Sequence, residues 1–168
     1  MGRQWEREYA VAYLQARYPR SRHIQGAPLG PVPQEMVARY GMRTALRMGR
    51  GLRPEADLLV WGEQELVLIE CKIFKWLDGL SKLPTYKGLV ATTPELEEWR
   101  SWPVRMVLAT PWIMETMREA ALVGGVELDE FVTPEAHEYL AKLNSYWTSE
   151  AKVAREQRQR ARALLGLE

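Results

Sequence analysis

The chain has 168 residues, 46% of them apolar, enough for one compact domain with a sizeable core. No apolar run reaches the length of a membrane span, and the charged, amphipathic opening MGRQWEREYAVAYL lacks a signal-peptide core. A net charge of +1 gives no global bias toward nucleic acid, and a single cysteine, Cys71, excludes an internal disulfide framework. A reducing, cytoplasmic setting is the expectation.

Residues 3–18 read as an amphipathic helix, with Trp5, Tyr9, Tyr13 and Leu14 near one face and Pro19 just past its end. The Gly- and Pro-rich run HIQGAPLGPVP predicts a loop or a short irregular strand. Residues 34–48 read as one helix, whose i, i+4 spacing would align Arg39, Arg43 and Arg47 on one face. Strands are predicted over residues 57–61 and 66–73, then a helix over residues 75–90 with Pro84 as a kink point. Three pairs, Thr93-Pro94, Thr110-Pro111 and Thr133-Pro134, each set a capping hydroxyl before a proline, a combination that starts helices. Strand-like runs cover residues 104–109 and 126–132, with Gly124-Gly125 stopping the helix between them. The last helices are expected over 134–146 and 149–165. The chain therefore reads as mixed α/β, with a main domain over 1–148 and a basic C-terminal helix over 149–168.

The stretch RPEADLLVWGEQELVLIECKIF places charges inside an apolar hairpin. With Glu63-Gln64 at its tip, Val60 opposes Val67, Leu58 opposes Ile69 and Asp57 opposes Glu70. Side chains so opposed stand ~4.5–5.5 Å apart at Cβ, where like charges are destabilising. Lys72 falls on the same face as Glu70, because the strand period is two. Two converging carboxylates need a compensating charge, and Mg²⁺ or Mn²⁺, which prefer hard oxygen ligands, would supply it. Such an ion polarises a phosphoryl oxygen and acidifies an attacking water, and Lys72 would orient that water or stabilise developing charge. The competing reading is a solvent-exposed hairpin end, where acids are ordinary.

These residues resemble the PD-(D/E)xK nuclease superfamily. The pattern here reads Glu55-Ala56-Asp57, then Glu70-Cys71-Lys72, with Pro54 three residues before Asp57. The opening GRQWEREYAVAYL is similar to the G-x-x-x-E-R-E-L start of archaeal-type Holliday junction resolvases, and the Asp57–Glu70 separation also matches that branch. The resemblance implies a restriction-endonuclease-like fold: a central mixed sheet with helices on both sides, elaborated in the C-terminal part. It implies a Mg²⁺-dependent deoxyribonuclease, with Mn²⁺ able to substitute and a metal-site core within residues 2–110. Glu6, Asp57 and Glu70 would be the metal ligands, Lys72 would complete the catalytic set, and Arg7 would lie near the bound phosphate. Lys82 and Tyr86 are the nearest echo of a Gln-x-x-Tyr-like element common after the lysine. DNA is the implied partner, in duplex, branched or single-stranded form, with an RNA-directed enzyme of the same superfamily as the rival reading. Homodimers are implied too, since many nucleases of this fold cut two strands as dimers.

Several residues keep two readings. Glu6 and Glu8 lie about 200° apart on a helix, so one of them faces the sheet; the offset from Trp5 and the resemblance favour Glu6. Glu55 is a second-choice ligand, and Cys71 reads as a small core residue of the opposite layer. The arginines at 39, 43 and 47 are either a wet helix face or DNA-backbone contacts, which supply most non-specific affinity. Trp76, Trp99, Trp102, Trp112 and Trp147 read as core or subunit interface, and the C-terminal basic helix as solvated or supporting oligomers. The functional alternative is a catalytically silent nucleic-acid-binding or scaffold protein that keeps the nuclease fold.

Overall fold

Continuous apolar runs on two central strands organise the sheet. β2 (Glu55–Trp61) and β3 (Leu66–Cys71) pair antiparallel, with Leu58 facing Ile69, Leu59 facing Leu68 and Val60 facing Val67. This is the register expected for a tip at Glu63-Gln64, and the Gly62 N–H closes the turn on the Glu65 carbonyl. β1 (His23–Pro28) adds antiparallel to β2, while β4 (Val104–Thr110) and β5 (Glu127–Glu130) add in parallel beyond β3. The computed structural model describes residues 2–146 and, beyond them, residues 152, 153, 156, 157 and 159. Within it the strands form one mixed five-stranded sheet in the order β1-β2-β3-β4-β5.

Helices cover both faces, as expected. α4 (Trp76–Val90) and α5 (Glu115–Gly124) bury Leu80, Leu83 and Met117 against Leu59, Leu66, Leu68 and Leu108. On the other face α1 (Gly2–Arg17) and α6 (Pro134–Tyr146) bury Tyr9, Tyr13, Leu14 and Ala136 against Leu58, Val60, Val67 and Ile69. Every residue of β3 is buried, because its side chains point alternately into these two layers. Each fully buried leucine contributes about 1.5–3 kcal/mol relative to exposure, so β3 is the anchor of the core. No helix among the described residues is long and apolar enough to cross a membrane.

Of the two readings of the Gly- and Pro-rich run, the structure bears out the short irregular strand: β1 is an edge strand whose one-sided pairing tolerates Gly26 at φ +58 and Pro28 at its end. Two other expectations are corrected. Residues 34–48 are two helices, α2 (Gln34–Tyr40) and α3 (Met42–Met48), broken at Gly41, whose φ of 75 and ψ of 158 leave the helical region. Arg39 therefore sits on α2 and Arg43 and Arg47 on α3, so they do not share one helical face. Finally, one Thr-Pro pair of the three starts an α-helix as expected: the Ala136 N–H donates to Thr133 Oγ1 at the head of α6. Thr93 precedes a 3-10 turn over Pro94–Trp99, and its hydroxyl donates back to the Leu89 carbonyl. Thr110 closes β4, and α5 begins only at Glu115. The expected helix over 149–165 and Trp147 lie largely outside the described residues.

Candidate active site

The hairpin register brings Asp57 and Glu70 level at the end of the β2–β3 ladder, and the two bind backbone across it. The Asp57 N–H donates to Glu70 Oε1 at 3.3 Å, and the Cys71 N–H donates to Asp57 Oδ2 at 2.8 Å. The carboxylates thus take over hydrogen bonds that a regular ladder would give to carbonyls, which fixes their orientation. Cys71 itself turns into the α1 layer and is fully buried, as its strand parity requires. Glu70 and Lys72 turn the other way, toward α4.

Lys72 is the centre of the arrangement. Its Nζ stands 3.3 Å from Glu70 Oε2, 3.4 Å from Asp57 Oδ2 and 3.5 Å from Glu6 Oε2. Asp57 and Glu70 come from the sheet, whereas Glu6 reaches over from α1, which packs on the opposite face. The Lys72 and Glu70 side chains are 7% and 2% exposed, while Asp57 and Glu6 keep 33% and 29% of their surface in contact with solvent. The cluster therefore has a dry floor and a wet rim.

Electrostatics follow from that burial. Burial raises the Glu70 carboxyl to about 7, and the Asp57 charge adds to the rise; Lys72 and Lys82 act against it. Burial alone would lower the Lys72 ammonium, but the charges of Asp57, Glu70 and Glu6 together hold it above its ordinary value. Lys72 is thus a firm cation at neutral pH, and Glu70 titrates near neutrality.

α4 completes the wall. Gly79 faces the site so closely that a Cβ there would stand 2.6 Å from Leu108 Cδ1 and 2.9 Å from Lys72 Cγ. Tyr86, two turns on, is pushed up to about 12 by burial and by the charges of Glu70 and Asp57. Lys82 lies between them in sequence and donates to Asp78 at 2.6 Å. Gly79 was not legible as a site residue, because its contribution is the absence of a side chain. Lys82 and Tyr86 had a signal, an i, i+4 pair on the helix after the lysine.

The sequence-predicted residues divide accordingly. Glu6, Asp57, Glu70 and Lys72 come together. Glu8 is exposed on α1 and lines a cavity of about 470 Å³ beside α6, as does Arg7; Ile73, the residue after Lys72, also lines it. Glu55 is drawn away by Arg50, 3.4 Å from its carboxylate, and does not join the cluster. Arg39, Arg43 and Arg47 are exposed on the segment leading into β2, and among the described residues no hydrogen bond or ion pair links them to the carboxylates. Trp76, Trp99, Trp102 and Trp112 pack half-buried against the α4-side core, and the Trp112 Nε1–H ties its loop to the Ile73 carbonyl at 2.9 Å.

A hard divalent cation suits the donor chemistry, since every acceptor facing Lys72 is a carboxylate oxygen. Among the described residues, however, no three His, Cys, Asp or Glu side chains already stand as a metal cage. What the carboxylates enclose is an ammonium.

No protein family matches the chain, and no curated protein does. Two solved structures are similar to it. A repair endonuclease from Pyrococcus abyssi aligns over 76% of this chain and 47% of its own, with a TM-score of 0.48 and 19% identity. The EndoMS–dsDNA2 complex aligns over 76% of this chain and 45% of its own, with a TM-score of 0.43 and 18% identity. The chain spans about half the length of each of these proteins.

Proposed function

We propose that this chain is a Mg²⁺-dependent nuclease that hydrolyses DNA phosphodiester bonds. The observation that carries this reading is the convergence of Glu6, Asp57 and Glu70 on the Lys72 ammonium from a helix and two strands. A structural ion pair needs one carboxylate; three around one buried lysine are a standing excess of negative charge that a divalent cation offsets. Mn²⁺ would substitute, having the same preference for oxygen ligands. The metal, when bound, supplies Lewis acidity at the phosphoryl oxygen and an acidified water.

In this reading Glu6, Asp57 and Glu70 hold the ion. The backbone bonds to Asp57 Oδ2 and Glu70 Oε1 hold both carboxylates in place beside Lys72, which Glu70 meets through Oε2. Lys72, a firm cation, orients the attacking water and stabilises the charge that develops on the phosphoryl oxygens. Arg7 lies one residue from Glu6 and is exposed, suited to a phosphate of the bound strand. The GRQWERE opening and the Asp57–Glu70 separation favour a junction-resolvase-like substrate, a branched duplex, with two copies of the chain serving its two strands.

The test is a cleavage panel with Mg²⁺ over duplex DNA, single strands, four-way junctions and structured RNA. Cleavage of DNA substrates, strongest on the junction, is the expected result. Cleavage confined to RNA would overturn the DNA assignment, and equal cutting of all DNA forms would overturn the junction preference.

A further inference from the structure

Lys72 is held differently along its length. Its stem is pinned, because Gly79 lets α4 close until a Cβ would stand 2.9 Å from Lys72 Cγ. Its ammonium is shared by Glu70, Asp57 and Glu6 at 3.3, 3.4 and 3.5 Å. Charge-assisted N⁺–H···O⁻ bonds run nearer ~2.7–2.9 Å, so all three contacts are loose. Asp57, by contrast, is tied to the Cys71 N–H at 2.8 Å through the same Oδ2 that faces the ammonium. Asp57 is thus anchored to backbone, whereas none of the ammonium's three contacts is short.

From this geometry we infer that the Lys72 ammonium is the internal counter-cation of the site, seated where a divalent ion must draw its ligands and displaced when that ion binds. The inference rests on the metal-dependent reading above and adds its regulation. A small divalent ion takes carboxylate oxygens at about 2.0–2.6 Å, so the ammonium cannot keep its central seat beside it. Rotation of the outer methylenes moves Nζ while the pinned stem keeps it nearby, where it repels the ion. Lys72 therefore holds the metal-free site together and sets metal affinity low. An ion held by bound nucleic acid as well as by the protein overcomes that opposition more easily than a free one, so occupancy follows substrate.

The experiment is calorimetric titration of Mn²⁺ into the full chain without nucleic acid, for wild type, Lys72→Met, Lys72→Arg and Asp57→Ala, each melted in chelator as a folding check. Removing the competing charge in Lys72→Met should tighten Mn²⁺ binding about tenfold or more, whereas Lys72→Arg, which keeps the charge, should bind no tighter than wild type. A folded Lys72→Met that binds Mn²⁺ equally or more weakly overturns the inference. If Lys72→Met is unfolded in chelator, refolding on Mn²⁺ addition supports it and failure to refold overturns it. Absence of binding in every variant, wild type included, overturns the metal reading itself. Wild-type binding that collapses in Asp57→Ala but is unchanged in Lys72→Met overturns this inference alone.

Discussion

Glu70 carries the largest electrostatic cost of any residue in the cluster. Its folded-state value is raised from 4.5 to about 7, so the folded chain holds the proton more tightly than the unfolded one. Stability contributed by that protonated form is present below the unfolded value and is lost as pH rises through the folded one. Metal-free protein should lose on the order of 2–3 kcal/mol between about pH 4.5 and 7.5. Urea unfolding in chelator across that range checks this, and Glu70→Gln should flatten the slope; an equally steep slope in Glu70→Gln would assign it elsewhere. Lys72 is also raised above its ordinary value, but its window lies far higher: it stabilises through neutral pH and stops doing so only in strong alkali. At this scale Asp57, Glu70 and Lys72 were legible because strand parity and hairpin symmetry are sequence properties. Glu6 was favoured over Glu8 by its offset from Trp5 and by the resemblance, and the structure places it beside the ammonium.

At the scale of elements, the approach of α4 to β3 decides the shape of the site. Gly79→Ala would force a Cβ against Leu108 and the Lys72 stem, both packed in the core. Overpacking of this kind costs about 1–3 kcal/mol, and the displaced Lys72 should lower cleavage beyond what the stability loss explains. Denaturant unfolding and cleavage assays on the same preparation separate the two effects. A second tie between elements is the buried Arg53, which forks onto Glu95 and also donates to the Gly30 carbonyl at 3.1 Å. Arg53→Met should cost about 3 kcal/mol, the lower end for a broken buried pair because Glu95 remains a third exposed. A melt within error of wild type would contradict that. The hairpin was readable from its two apolar runs and the turn between them, whereas β1 was readable only as a loop or a short irregular strand. Its sequence is glycine- and proline-rich, and only pairing with β2 makes it a strand. The break at Gly41 was equally hidden, since a single glycine is compatible with a helix until its φ is known.

At the scale of the whole molecule, the order of predicted elements gave a mixed α/β chain and the resemblance implied a central mixed sheet with helices on both sides, and both hold. In the proposed reading, the surface that meets nucleic acid is a question of summed charge. Arg43 and Arg47 lie one turn apart on α3 and Arg39 on α2, so the three form no continuous stripe. Replacing all three with alanine should weaken DNA binding at every sequence and reduce the salt slope by about 0.9 for each phosphate no longer neutralised. An unchanged slope would move the DNA surface elsewhere. The carboxylate–lysine cluster is what makes the fold a nuclease in this reading. Its most direct test is Mg²⁺-dependent DNA cleavage by purified wild-type, Asp57→Ala and Lys72→Ala proteins, with folding and DNA binding measured alongside. Both variants should fold and bind DNA while cleavage falls about 10²–10⁴-fold or further. Undiminished cleavage by folded Asp57→Ala would contradict the assignment.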